Sequence, residues 1–128
     1  MNVQQPSLFD ATISRLAYGL DGLSKRQDII ATNVANIDTP GYLTHDVAFE
    51  QELNSVMSGQ SLTDNGAAPV ALPQALTRND LRVRNDGNNV DIDQQMTEMA
   101  RTSIAYETTT QLINGKFGLL TAALAPVN

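Results

Sequence analysis

The single histidine of the chain, His45, stands beside Asp46, just past Pro40-Gly41-Tyr42. A His–Asp pair can begin a general base or a metal site. The parts that would complete either are missing: there is no second histidine, no cysteine and no serine in a recognisable nucleophile motif. These residue types place His45 on the surface. A second stretch, Asn85-Asp86-Gly87-Asn88-Asn89-Val90-Asp91-Ile92-Asp93, is rich in oxygen ligands and invites comparison with a calcium loop. Its glycine falls in the wrong place for an EF-hand, and no glutamate closes the frame. Turn chemistry explains it better: Asp-Gly makes a turn, the asparagines tolerate left-handed geometry, and Asp91 or Asp93 caps a following helix. Arg78, Arg82 and Arg84 read as a solvated strand face, since no glycine-rich phosphate loop accompanies them. The pair Met96 and Met99 fits packing on an adaptable apolar surface. The expectation is a protein with no catalytic residues, metal or cofactor.

Charge and composition narrow the class further. The formal net charge is −6, spread along all 128 residues, with 14 acidic against 8 basic side chains. That sign opposes binding to nucleic acid and docking on an anionic bilayer. Without cysteine, disulfide scaffolds and thiol chemistry are excluded. No run approaches the ~20 apolar residues of a membrane span, so no direct membrane insertion is expected. The start, Met-Asn-Val-Gln-Gln-Pro-Ser, lacks a basic segment followed by an apolar one, and no cleaved signal peptide is expected.

The apolar residues concentrate at the two ends. Alternating steps of four and three from Phe9 give Ile13, Leu16, Leu20, Leu23, Gln27, Ile30, Val34 and Ile37, a helical stripe broken only by Gln27. Ser7 and Asp10 resemble a capping box, and Thr39-Pro40-Gly41 stops the run, so the spacing predicts a helix over about 8–37. The same rule from Ile92 gives Met96, Met99, Ser103, Tyr106, Thr110, Ile113, Phe117, Leu120 and Leu124, with Asp91 as N-cap and Pro126 beyond the end. This predicts a helix over about 91–124. Ala17, Gly19, Ala31, Ala35, Ala100, Gly115 and Gly118 either offer a second, small-residue surface for a close neighbour or, at the glycines, merely loosen the helices.

Between the helices, Phe49, Leu53 and Val56 are spaced for a short helix or turn, and 58–80 reads as a loop. Leu81, Val83 and Val90 around Asp86-Gly87 give a weak β-hairpin signal. The predicted fold is one mainly α domain over 1–128. Two long terminal helices pair in antiparallel, coiled-coil-like fashion around an irregular middle, about 38–90, that holds a short hairpin. An isolated pair of this kind is marginal, so burial against other chains is expected.

Two stretches are more particular than composition explains. Residues 31–42, Ala-Thr-Asn-Val-Ala-Asn-Ile-Asp-Thr-Pro-Gly-Tyr, resemble the N-terminal signature of the rod, hook and related axial proteins of the bacterial flagellum, through Asn33, Ala35, Asn36, Thr39, Gly41 and Tyr42. Asp86, Gly87, Asn88, Asn89 and Asp91, with the run to Met99 and Tyr106, resemble the C-terminal region of proximal-rod members of that family. The resemblance implies a structural subunit of the periplasmic rod of the basal body. It would stack as a helical tube between the MS ring and the distal rod, after type III export without a cleaved signal. Its implied partners are its own copies, other rod proteins, the MS ring, the rod adaptor and the export apparatus. From the residues alone a soluble coiled-coil adaptor or export chaperone remains open, as does a neighbouring axial protein.

Overall fold

A computed structural model describes residues 8–48 and 74–125, with side chains from Thr12 onward. Two long helices, α1 (Leu8–Ala35) and α2 (Ile92–Leu124), flank two short strands, β1 (His45–Val47) and β2 (Ala75–Thr77). The Ser7 cap, the Phe9 side chain, the 43–57 helix beyond Ala48, most of the 58–80 loop and the Pro126 stop lie outside the described residues.

Helix α2 begins where Asp91 accepts hydrogen bonds from the N–H groups of Asp93 (2.9 Å) and Gln94 (3.2 Å), satisfying donors that have no partner inside the helix. Helix α1 ends at Ala35, two residues short of the stripe. Ile37 lies in the turn beyond, its N–H bonded to Val34 O at 3.3 Å. The helices pack antiparallel, as two cross-links show: Asn33 near the end of α1 meets Gln95 near the start of α2, and Gln27 meets Ser103 further along. Gln27 and Ser103 are polar breaks in their respective stripes, and they bond each other at 3.3 Å. Polar pairs in an otherwise apolar seam fix register at some cost in stability.

The core is small. Tyr18, Leu23 and Ile29 of α1 enclose Val47 of β1, and Ala105 of α2 packs against them. Ile30 and Val90 are also buried. Helix α2 turns toward α1 a face of small and polar residues, with Gln95 and Thr102 buried. The Thr102 hydroxyl is satisfied by Glu98 O at 2.7 Å. No large apolar side chain of α2 is fully buried: Met96, Tyr106, Phe117 and Leu124 of the stripe are exposed, and Met99, Ile113 and Leu120 are half-buried. On α1, Leu23 and Ile30 are buried, while Ile13, Leu16, Leu20 and Val34 are half-buried, as is Ile37 in the turn beyond it. Helical geometry accounts for this. A strict 3.5-residue repeat drifts ~20° per heptad around a straight α-helix, so one neighbour cannot cover the whole stripe.

The sheet also differs from expectation. β1 and β2 pair antiparallel, with His45 opposite Thr77 and Val47 opposite Ala75. The strands therefore lie outside the 81–90 segment that carries the hairpin signal. The Asp86-Gly87 turn does form: Gly87 N–H bonds Arg84 O, and Arg84 N–H bonds Asn88 O. With Gly87 at φ +83°, this is a three-residue hairpin loop with left-handed glycine. Beyond that closing Arg84–Asn88 bond, its flanks bond the end of α1 and the loop before β1.

Candidate functional site

The two motif stretches, some fifty residues apart in sequence, fold into one hydrogen-bonded elbow at the end of the helix pair. Its first half terminates α1. Asn36 N–H reaches Thr32 O and Asn33 O, and the Asn36 amide donates to Thr32 O at 2.8 Å. Thr39 Oγ1 donates to Asn36 Oδ1 at 3.1 Å. Tyr42 N–H then bonds Thr39 O at 3.2 Å across Pro40 and Gly41, and Gly41 has φ +73°. Proline followed by a left-handed glycine is the signature of a type II turn.

The second half locks onto the first. Asn88, fully buried, donates through Nδ2 to both Asn36 O and Thr39 O, each at 2.9 Å. Its Oδ1 accepts from Val90 N–H at 2.7 Å. Gly41 N–H donates to Asp86 O at 2.9 Å, and Asn89 N–H to Tyr42 O at 3.3 Å. Gly87 sits so close to Gly41 that a Cβ on it would lie 3.2 Å from Gly41 Cα. Arg84 donates to Ile37 O and pairs with Asp86 at 3.3 Å. The Arg84 hydrogen bond, with help from Asn88 N–H, lowers the Asp86 pKa.

Asn33 joins the elbow to both β1 and α2. It too is fully buried. Oδ1 accepts from Tyr42 OH and from His45 N–H, both at 3.0 Å, and Nδ2 donates to His45 O and Gln95 Oε1, both at 2.8 Å. All four bonding positions of the carboxamide are filled. Toward His45 the side chain behaves as one more strand, exchanging both backbone bonds of that residue. Asn89 acts similarly on the preceding residue. Its Oδ1 accepts from Thr44 N–H at 2.6 Å and its Nδ2 donates to Arg78 O at 2.7 Å, while Arg78 N–H bonds Thr44 O directly. The amide is thus spliced into the ladder that continues β1 and β2. Burial raises the Tyr42 pKa, so its hydroxyl stays a donor.

The His45–Asp46 pair does not form a dyad. His45 Nδ1 lies 3.2 Å from Tyr42 OH, which donates to Asn33 Oδ1. The Asp46 carboxylate turns to Arg26 at 3.6 Å and Arg78 at 3.4 Å. Arg78 also binds Asp80 at 2.7 Å, and that bond lowers the Asp80 pKa to about 2. Among the described residues no cluster of His, Asp and Glu is arranged to hold a metal ion, and Asp91 is occupied as the α2 cap. Arg78 follows β2, and Arg82 and Arg84 lie in the irregular segment after it, so the strand-face reading of the three arginines does not hold.

The structure places Asn33, Asn36, Thr39, Gly41, Tyr42, Asp86, Gly87, Asn88 and Asn89 in the elbow and Asp91 directly behind it, with Ala35 on the exposed side. Sequence reasoning gave no role to Gln95 or Thr44 and read Arg84 only as part of a solvated strand face. A glutamine one position off an apolar stripe was the available sign for Gln95; the bonds of Thr44 to Asn89 and of Arg84 to Ile37 run across more than forty residues and leave no local sign.

The elbow offers position, not reactivity: every buried amide is spent on holding a helix pair, a turn and a small sheet in one arrangement. This is the site of an architectural protein built on an antiparallel helix hairpin. A family described as flagella basal body rod protein matches residues 17–42, which span the later part of α1 and the elbow. Over nearly the whole chain there is similarity to flagellar basal body rod proteins FlgB. The Bacillus subtilis protein is 35% identical over 92% of this chain and 96% of its own. That of Aeromonas hydrophila is 35% identical over 91% and 94%, and that of Escherichia coli 34% identical over 84% and 88%. The chain belongs to the FlgB family of flagellar basal body rod proteins.

Proposed function

We propose that the chain is a structural subunit of the proximal rod of the flagellar basal body, and that it assembles through its terminal helices into a tube linking the MS ring to the distal rod. The observation that carries this reading is the outward-facing apolar surface of α2 beside a closed polar elbow. Met96, Ile104, Leu112, Phe117, Leu119 and Leu124 are each about half exposed or more. By helical periodicity Met96, Phe117 and Leu124 lie to one side of the face marked by buried Gln95 and Thr102, Leu112 and Leu119 to the other, and Ile104 opposite it. A helix with two uncovered apolar flanks fits a wall in which it touches further helices on both sides. The elbow would set the angle at which each hairpin enters that wall. The partners in this reading are copies of this chain and other rod and basal-body proteins, and more finely the MS ring, the rod adaptor and the type III export apparatus. The family's structural character and the stable packing of every elbow amide support a role without catalysis. No helix among the described residues is long and apolar enough to cross a membrane.

Deletion of the gene, followed by electron cryotomography of the cells, tests the proposal. Rod and hook should be missing while the MS ring remains. Intact filaments with normal motility would overturn it.

A further inference from the structure

Four of the eight glycines follow an asparagine or aspartate: Asp21-Gly22, Asn65-Gly66, Asp86-Gly87 and Asn114-Gly115. In such a pair the glycine nitrogen can attack the preceding side-chain carbonyl carbon, because no Cβ crowds its approach. At neutral pH asparagine reacts in preference to ionised aspartate, since its amide can leave as ammonia. Asn65-Gly66 lies outside the described residues. In the elbow, Gly87 N–H is bonded to Arg84 O at 2.9 Å, and the Asp86 carboxylate accepts from Arg84 and from Asn88 N–H, so both reacting groups are engaged. Asn114 and Gly115 stand exposed on α2, and nothing lies within 4 Å of where a Gly115 Cβ would be. What restrains this pair is the helix, which holds the Gly115 N–H in its ladder.

That part of the helix is weakly held. Beyond Thr102 no described residue of α2 is buried. Thr108, Thr109 and Thr110 are three β-branched residues in succession. Each turns its hydroxyl onto the carbonyl four residues back, at 2.8, 2.8 and 2.9 Å, a bond that loosens and bends helices. Gly115 and Gly118 follow, and no basic side chain complements the last turn. Segments of this kind open without the rest of the molecule unfolding.

We infer that Asn114 is a spontaneous deamidation site gated by opening of the distal half of α2. In the opened turn the Gly115 nitrogen attacks the Asn114 side-chain carbonyl carbon. A cyclic imide forms, and ammonia leaves with the proton that the nitrogen carried. Water then opens the ring at either carbonyl, giving aspartate or isoaspartate. Isoaspartate puts an extra carbon into the main chain, so the helical ladder cannot run through it and the faces that carry Leu112 and Phe117 lose their register. An unassembled copy therefore has a limited lifetime. On the proposal above that the chain assembles through its helices, a copy packed among neighbours is protected.

The tryptic peptide 102–116 contains Asn114 as its only asparagine, so mass spectrometry reads the site directly. The purified full chain would be incubated at neutral pH beside synthetic peptide 102–116, which is too short to hold a helix. Asn114 should deamidate about 10- to 1,000-fold more slowly in the chain than in the peptide, the range of a local opening. Equal rates would overturn the gate. A slowing of about 10⁴-fold or more, as when only global unfolding exposes the pair, would overturn the site. Gly118→Ala leaves the reacting pair intact and favours the helix, so it should slow the reaction about fivefold; an unchanged rate would overturn control by α2. Asp86 should stay unmodified throughout, and isoaspartate appearing there first would overturn the protection by Arg84 and Asn88. In cells, isolated basal bodies should carry intact Asn114 while the soluble pool accumulates the modified form. Equal fractions in the two overturn protection by assembly. Basal bodies that lack the chain overturn the rod assignment and leave the chemistry of Asn114 standing.

Discussion

Asn33→Asp is the sharpest perturbation of the elbow, because it keeps the shape of the side chain and changes one atom. The new oxygen replaces Nδ2, which donates to His45 O and Gln95 Oε1 at 2.8 Å in a site with no solvent exposure. Two donors become an acceptor facing two acceptors. The Gln95 amide can rotate and offer its own N–H; the His45 carbonyl cannot. Two lost bonds are worth about 1–3 kcal/mol, and an unpaired charge in a buried site raises the total to about 3–5 kcal/mol. Asn33→Ala, which loses the bonds without adding charge, should cost about 2–3 kcal/mol. The pH dependence separates the two variants. Burial pushes a carboxyl pKa above its unfolded value, so the Asn33→Asp variant binds its new proton more tightly when folded than when unfolded. Its stability is then greatest below the unfolded pKa and is lost as pH rises through the folded one, so its deficit is larger near ~pH 7 than near ~pH 5. The Asn33→Ala variant lacks this narrowing. Urea denaturation followed by far-UV circular dichroism at both pH values measures it, and absence of any cooperative transition at the higher pH counts as the extreme of the expected loss. A cost below about 1 kcal/mol, or a deficit that does not shrink on acidification, would refute the account of Asn33 as a fully bonded buried hub.

The two elbow glycines should differ. Gly87→Ala combines a left-handed φ with a Cβ 3.2 Å from Gly41 Cα, whereas Gly41→Ala meets only the backbone strain, about 1–2 kcal/mol; thermal melts that rank Gly41 as the costlier site would contradict the close approach. Gly115 and Gly118 are exposed helical positions where a Cβ meets nothing within 4 Å, so Gly118→Ala should stabilise the isolated chain by about 1 kcal/mol while reducing swimming in soft agar if a neighbour packs there; unchanged motility would remove the second packing surface. Phe117→Asp should leave the isolated chain's melting nearly unchanged and block assembly, because the ring is half exposed, whereas Leu23→Asp should unfold the chain; equal effects of the two on the melt would argue against the division between core and outer face. The Asp80 carboxyl, held at about 2 by the Arg78 hydrogen bond, has a folded pKa below its ordinary value of 3.8. The stability it contributes is present above 3.8 and is lost as pH falls toward about 2, so an acid titration of Asp80→Asn should run flatter than the parent in that interval.

Long-period features were legible in the sequence and long-range ones were not. The helices, their antiparallel pairing and the Asp91 cap follow from repeats and capping residues, signals contained within a few residues of where they act. The hairpin signal misplaces the sheet because Asp86-Gly87 specifies a turn, whereas a strand also needs a partner. The partner of β1 is Ala75–Thr77, chosen by the splice of Asn89 between Thr44 and Arg78, which no local pattern encodes. The stripe on α2 marked an apolar surface correctly but not what covers it. Period alone cannot distinguish a side chain that faces α1 from one that faces outward, and the small residues beside it, Thr102 and Ala105, took the inner seam.

The polar elbow and the apolar exterior answer one problem. A subunit that leaves several large hydrophobic side chains of α2 exposed has only a small core to fix its own shape, and apolar contacts tolerate sliding. Directional bonds do not. Asn33, Asn88 and Asn89 are nearly or completely buried, and each side chain bonds at least two backbone groups, so an error of about an ångström in the relation of α1, β1 and α2 would strand several groups at once. Replacing the three amides by leucine should therefore not yield a sturdier subunit. The expected product is a helix-rich chain without one fixed elbow, visible as loss of dispersion in the amide NMR spectrum while far-UV ellipticity persists. If the triple variant kept sharp, dispersed resonances and built a normal rod, packing alone would suffice to set the elbow, and the buried amides would need another explanation.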